Sequence, residues 1–161
     1  MSKEYLATIY LAGPLFTQAE WQWNERLADK LREGFLNVIL PQSTAEPMLK
    51  GEKPFDPGLL FRENIDGIER ADAVVAIFDG ADADSGTSWE CGYAFKARKP
   101  VIGVRTDIRA GGDDPAMSIN LMLSAACADF VHVPLAERGK VARVAIDVIA
   151  AVKRVLRKET L

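Results

Sequence analysis

Hydrophobic positions along the chain fall into two rhythms that alternate from one end to the other. Ala7-Thr-Ile-Tyr-Leu-Ala12 is a short, apolar, β-branched run stopped by Gly13-Pro14, and it reads as a first strand. Thr17-Gln-Ala-Glu20 has the spacing of a capping box, in which a hydroxyl and a carboxylate each satisfy a free amide at a helix start. Behind it Ala19, Trp23, Leu27 and Leu31 recur every four residues, predicting a helix with one face on a sheet. Asn37-Val-Ile-Leu-Pro41 supplies a second strand, closed by its proline. Residues 42–57 hold three prolines and little periodicity, which predicts a long loop, either a lid or a plain surface excursion. A helix from Gly58 to Arg70 leads into Ala73-Val-Val-Ala-Ile-Phe78, the most apolar strand. A helix from Ser85 or Gly86 to about Arg98 follows, then strands at Pro100–Val104 and Phe130–Val133. The last helix, Lys140 to Arg157, sets Val141, Val144, Val148, Val152 and Val155 on one stripe.

Strands and helices in strict alternation, with nearly continuous apolar strands, predict a parallel sheet covered on both faces. Right-handed crossovers then favour a single-domain, flavodoxin-like, doubly wound α/β sheet of about five parallel strands spanning residues 1–161. Ligands of such sheets sit beyond the C-terminal strand ends. That places Leu11–Phe16, Asp79–Glu90 and Arg105–Asn120 at the expected site.

Charge and composition narrow the function. The net charge of −3 lacks the basic excess of a nucleic-acid-binding surface, so a polymer partner is not expected. No apolar run reaches the roughly 20 residues that cross a bilayer, and the N-terminus has no apolar export segment, so a cytoplasmic protein is expected. Cys91 and Cys127 lie in apolar surroundings and read as reduced core thiols.

The candidate chemistry is carboxylate chemistry. The only histidine, His132, falls within a predicted core strand, so no Ser-His-Asp set is expected. The turn Gly13-Pro-Leu-Phe16 lacks both the dinucleotide fingerprint and the Walker Gly-Lys-Ser/Thr ending. No cofactor is expected. On its helix Glu90 has Gly86, Thr87, Tyr93 and Ala94 as neighbours, with no Lys or Arg to pair it. A carboxylate beside a packed face is costly unless hydrogen-bonded, which suggests a use; an exposed glutamate helped by the helix dipole is the plainer alternative. The acidic run Asp79, Asp82, Asp84 reads as a solvated loop, as a hard-cation site, or, through Asp84, as a binder of sugar hydroxyls. An EF-hand fails, since the sixth position counted from Asp79 is Asp84 and not glycine. No metal is expected.

Three motifs together, Ile9-Tyr10-Leu-Ala-Gly13-Pro-Leu-Phe16, Asp84-Ser-Gly-Thr-Ser-Trp-Glu90-Cys-Gly-Tyr-Ala94 and Ser118-Ile-Asn120-Leu-Met122-Leu, resemble the nucleoside 2-deoxyribosyltransferase family. The resemblance implies that Glu90 is the nucleophile of a double displacement, attacking the anomeric carbon of a 2′-deoxynucleoside and holding deoxyribose as an ester until a second base takes it. It implies that Tyr10 orients Glu90 and that Asp84 holds the 5′-hydroxyl side of the sugar. Gly13, Phe16, Asn64, Asn120 and Met122 become substrate-binding positions. Asn120 would come from a neighbouring subunit, which implies a homo-oligomer with shared active sites. The implied partners are small 2′-deoxynucleosides and free nucleobases.

One position departs from the family pattern. Where its members commonly carry an aspartate that manages a proton on the leaving base, this chain has Asn64, which can hydrogen-bond a base but is no general acid. Either Asp66 or Glu63 substitutes, or hydrogen bonds alone assist base departure. Two alternatives stand beside the transferase. One is an N-glycoside hydrolase of deoxynucleosides or their 5′-monophosphates, with water as acceptor; the other is a non-catalytic nucleotide-sensing module.

Overall fold

The computed structural model describes residues 5–114, 116–137 and 139–158. Five strands, β1 (Ala7–Ala12), β2 (Leu36–Ile39), β3 (Ala73–Ile77), β4 (Val101–Arg105) and β5 (Cys127–His132), form one sheet. Every pairing is parallel, in the order β2-β1-β3-β4-β5. The helices are α1 (Gln18–Glu33), α2 (Pro41–Leu49), α3 (Pro57–Arg70), α4 (Ser85–Lys96), α5 (Leu121–Ala126) and α6 (Val141–Lys158). The chain runs outward from β1 to β2, then returns to β3 on the other side of β1. The direction of winding therefore reverses between β1 and β3, where a flavodoxin-like sheet opens a crevice.

Strand alternation divides the core in two. Ile9, Leu11, Val75, Ile77 and Val104 meet Leu27 and Leu31 of α1 and the valine stripe of α6. Tyr10, Ala12, Val74, Ala76 and Phe78 face the other way, onto Ile68 of α3 and Cys91 and Ala94 of α4. β3 and β4 are buried along their whole length, as strands sandwiched between helix layers must be. Among the described residues no helix is long and apolar enough to cross a membrane.

Several expectations need correction. Residues 42–57 are not one loop, because α2 occupies Pro41–Leu49. Pro41 stands in the first helical turn, where its missing N–H would have had no partner, so it starts a helix instead of merely closing a strand. Gln42, Ala45 and Met48 then bury one face of α2, despite Pro47 within it. β2 accordingly ends at Ile39, and Leu40 becomes the residue before the helix. α3 begins at Pro57 by the same rule. β5 is longer than expected and lies at the sheet edge, so His132 is exposed and not in the core. Ala19 is exposed rather than packed, whereas Leu27 and Leu31 are fully buried. The cysteines are unpaired; Cys91 is buried and Cys127 half-buried.

Candidate active site

Glu90 is placed by the start of α4. Asp84 caps that helix: its Oδ2 accepts from the Thr87 amide at 2.8 Å and from the Thr87 hydroxyl at 3.0 Å. The cap fixes the first turn and brings Glu90, in the second turn, over the C-terminal half of β1. There the fully buried Tyr10 donates its hydroxyl to Glu90 Oε1 at 2.6 Å, a short charge-assisted bond. From α3 the Asn64 amide reaches the same oxygen at 3.5 Å. Gly67, one turn further along α3, makes this convergence possible. A Cβ there would meet the Tyr10 ring at 3.0 Å, tighter than most side-chain contacts, so glycine lets α3 lie close against the aromatic ring.

Electrostatics follow from this setting. Burial, and secondarily the nearby charge of Asp84, push the Glu90 carboxyl up to about 7, although the Tyr10 hydroxyl works in the opposite direction. Burial and the adjacent Glu90 hold the Tyr10 phenol far above its ordinary range, so it stays a donor. Burial likewise raises the neighbouring Cys91 thiol, which leaves it unreactive.

Two hollows flank Glu90. The first, of about 210 Å³, lies between Gly13 and Phe16 on the β1–α1 turn, Ala45 of α2, Asp84 at the cap of α4 and Glu90 within it. Its rim is set by the capping box of α1, where Glu20 Oε2 accepts from the amides of Thr17 at 2.7 Å and Phe16 at 3.0 Å. The second, of about 300 Å³, opens between α3 and α4 and is lined by Phe61, Ile65, Ile68 and Trp89. Asn64, Gly86 and Glu90 border both. A larger cavity of about 700 Å³ lies at the other end of the sheet, by Pro100 and Cys127, far from this carboxylate.

Tyr10, Gly13, Phe16, Asn64, Asp84 and Glu90 thus come together as the sequence led us to expect. Asn120 and Met122 do not join them. Asn120 caps α5, accepting from the Met122 amide at 2.9 Å and donating to Asp113 at 3.3 Å, and neither residue lines a hollow with Glu90. Asp79 is drawn away as well: it accepts from the Thr106 amide at 2.6 Å and the Asp107 amide at 2.9 Å, tying the β3–α4 turn to the loop after β4. The buried Arg105 supports the same junction through the carbonyls of Gly80 at 3.2 Å and Arg109 at 2.7 Å. Asp82 is exposed, and among the described residues no group of three His, Cys, Asp or Glu side chains is placed to hold a metal. Thr87, Gly67 and the aromatic pair Phe61 and Trp89, with ring centroids 5.6 Å apart, were not singled out from sequence. Only the helical spacing of Gly67 and Asn64, three apart on one face of α3, carried a signal.

A parallel α/β sheet with a hydrogen-bonded carboxylate at its switch point defines a class of small-molecule enzyme site. A family model described as nucleoside 2-deoxyribosyltransferase matches residues 9–122, and the chain belongs to that family. The family is one of enzymes acting on nucleosides, and this chain is an enzyme of that kind. A solved 2-deoxyribosyltransferase from Bacillus psychrosaccharolyticus is 26% identical, with TM-score 0.64 over 77% of this chain and 85% of that one. A conserved protein from Enterococcus faecalis V583 shares the fold with TM-score 0.68 at 22% identity, over 91% of this chain and 97% of that one. A CMP N-glycosidase from Clostridium botulinum shares it with TM-score 0.57 at 17% identity, over 86% and 98%. No curated protein matches the chain by sequence.

Proposed function

We propose that this enzyme transfers 2′-deoxyribose between nucleobases through a glycosyl ester on Glu90. The observation that carries the reading is the 2.6 Å bond from Tyr10 to a half-buried Glu90 that borders a hollow of about 210 Å³. One Glu90 oxygen is held by Tyr10, which orients the carboxylate toward the anomeric carbon. The carboxylate attacks, the base departs, and a second base displaces Glu90 with net retention. Thr87 occupies Asp84 Oδ2 and leaves Oδ1 for the 5′-hydroxyl. Gly13 and Phe16 border the nucleoside, and Asn64 contacts the base. Asn120 and Met122, which line neither hollow within one chain, complete the site from a second copy in a homo-oligomer. The setting is cytoplasmic nucleoside salvage.

Unphosphorylated substrates fit best. Among the described residues no lysine or arginine lines either hollow, while Glu90 lines both and Asp84 the first, so a 5′-phosphate would meet like charge at close range. Intact mass spectrometry after mixing with a 2′-fluoro-2′-deoxynucleoside tests the nucleophile: an adduct mapped to Glu90 supports it, and an adduct elsewhere overturns it. Deoxyuridine incubated with hypoxanthine should yield deoxyinosine. Free deoxyribose alone would replace the transferase with a hydrolase.

A further inference from the structure

The groups bordering Glu90 have a consequence for which bases can leave. Within one chain and among the described residues, the polar side chains lining the two hollows are Asn64, Asp84, Thr87 and Glu90, with the Trp89 indole, a donor that releases no proton, on the second. Glu90 forms the bond to sugar and cannot also protonate the base. Asp84 is engaged as an acceptor by both Thr87 donors. Tyr10, from β1, is committed to Glu90. On α3 both acidic neighbours of Asn64 point elsewhere: Glu63 is exposed and lines neither hollow, and Asp66 pairs with Arg70 at 2.8 Å on the solvent side. The one α3 side chain that meets both Glu90 and the hollows is an amide, which donates hydrogen bonds but releases no proton.

We infer, building on the proposed glycosyl transfer, that this site expels the base without general-acid help, and that its substrates are 2′-deoxynucleosides of oxo-bases able to leave as stabilised anions. As a Glu90 oxygen bonds to C1′, the C1′–N bond breaks and its electron pair stays on the base nitrogen. Uracil, hypoxanthine and xanthine spread that charge onto carbonyl oxygens. Adenine and cytosine, lacking that outlet or having less of it, depend on a proton delivered to a ring nitrogen. Asn64 Nδ2 carries two protons, and Glu90 takes one; the other is free to donate to a base carbonyl. The departed anion is protonated by solvent. In the return step an oxo-base loses its N–H proton to solvent and its nitrogen displaces Glu90. Asn64 is thus the specificity-determining residue, a hydrogen-bond donor where an acid would broaden the range of leaving bases.

The test is kcat/KM for base release across 5-fluoro-, 5-bromo-, unsubstituted and 5-methyl-deoxyuridine, with deoxyinosine and deoxyadenosine alongside. The native enzyme should lose roughly tenfold for each unit by which the leaving nitrogen becomes more basic, as expected when no proton is transferred in the transition state. Asn64→Asp, nearly isosteric and placed 3.5 Å from Glu90, should raise kcat/KM on deoxyadenosine by roughly 10²-fold and flatten the series. It should also introduce a falling limb at high pH that the native enzyme lacks. Asn64→Ala should be slower throughout but keep the steep dependence. A flat native series, or a native alkaline limb, overturns the inference and leaves glycosyl transfer standing. No turnover on any member, with no ester on Glu90, overturns the parent reading and this one with it.

Discussion

The two faces of the sheet are built from the same strands and yet are organised on different terms. On one face Ile9, Leu11, Val75 and Ile77 meet α1 and α6 through a mainly aliphatic layer, with Trp23 packed at its side, and Leu27, Leu31, Val148 and Val152 are fully buried. On the other face one step along β1 substitutes Tyr10 for an aliphatic residue, and α3 and α4 answer it with Gly67, Asn64 and Glu90. The first face gains stability from every buried methylene. The second holds a carboxylate whose charged form burial disfavours, an arrangement that is costly for folding and useful for chemistry. Stability and reactivity should therefore separate by face when each is mutated.

The largest expected effect is on the reactive face. Glu90→Gln keeps shape and removes the proposed nucleophile, so base release should fall by roughly 10⁴-fold or more, measured as kcat/KM on deoxyuridine. Near-normal turnover would dismiss Glu90 from the reaction. The same variant should be more stable at alkaline pH. A carboxyl raised from 4.5 to about 7 in the fold binds more protons folded than unfolded. Its stabilising contribution is present below about 4.5 and is lost as pH rises through about 7, a swing on the order of 3 kcal/mol by linkage. Native activity should run in the opposite sense, with a limb near pH 7 below which the rate declines as Glu90 takes up a proton. Chemical denaturation of both proteins at pH 5 and 8, beside the pH–rate profile, checks the two signs together.

On the aliphatic face the effect should be thermodynamic only. Leu27→Ala empties space beneath α1 and should cost about 3–5 kcal/mol of unfolding free energy, while kcat of the folded fraction stays within about twofold. A comparable fall in kcat would show that the faces are coupled.

The aliphatic face was also the more legible in the sequence. The valine stripe of α6 and the Leu27 and Leu31 repeat follow from helical spacing, and both fall where that spacing puts them. Asp84, Glu90 and Tyr10 were legible as motif residues, but their convergence was not, because a bond spanning 80 residues depends on the order of β1, β3 and α4. α2 was missed for a local reason: prolines at helix starts and at loop ends look alike until the buried face of Ala45 and Met48 is known. Gly67 was missed because a glycine's role lies in the neighbour it admits. His132 was misplaced because strand order, which makes β5 an edge, leaves no trace in local pattern.

Tyr10→Phe should have a smaller effect than loss of the carboxylate, since it removes one hydrogen bond to a charged group. That bond is worth about 1.5–3 kcal/mol, so kcat/KM should drop by roughly 10- to 100-fold. The Tyr10 hydroxyl lowers the Glu90 pKa, so its removal should move the acid limb to higher pH. A rate loss with an unmoved limb would mean that the hydroxyl acts on substrate and not on Glu90.

Gly67→Ala should have the smallest effect and draws the comparison most finely. Its added methyl meets Tyr10 Cδ2 and Cε2 at 3.0 Å and Ile39 at 3.2 Å, closer than side chains normally approach. Alanine is the better helix former by up to about 1 kcal/mol, and the crowding opposes that gain, so net stability should change by less than about 1 kcal/mol. The Tyr10 ring, however, must tilt or α3 must lift, and either motion shifts the hydroxyl that makes the 2.6 Å bond. We expect kcat/KM to fall by roughly 3- to 10-fold, because modest displacements of positioning groups are felt in the transition state. Thermal denaturation and steady-state kinetics on one preparation decide the matter. Activity and stability falling in proportion would make Gly67 a packing residue only, whereas activity falling alone would show that the α3 contact serves to aim Tyr10 at Glu90.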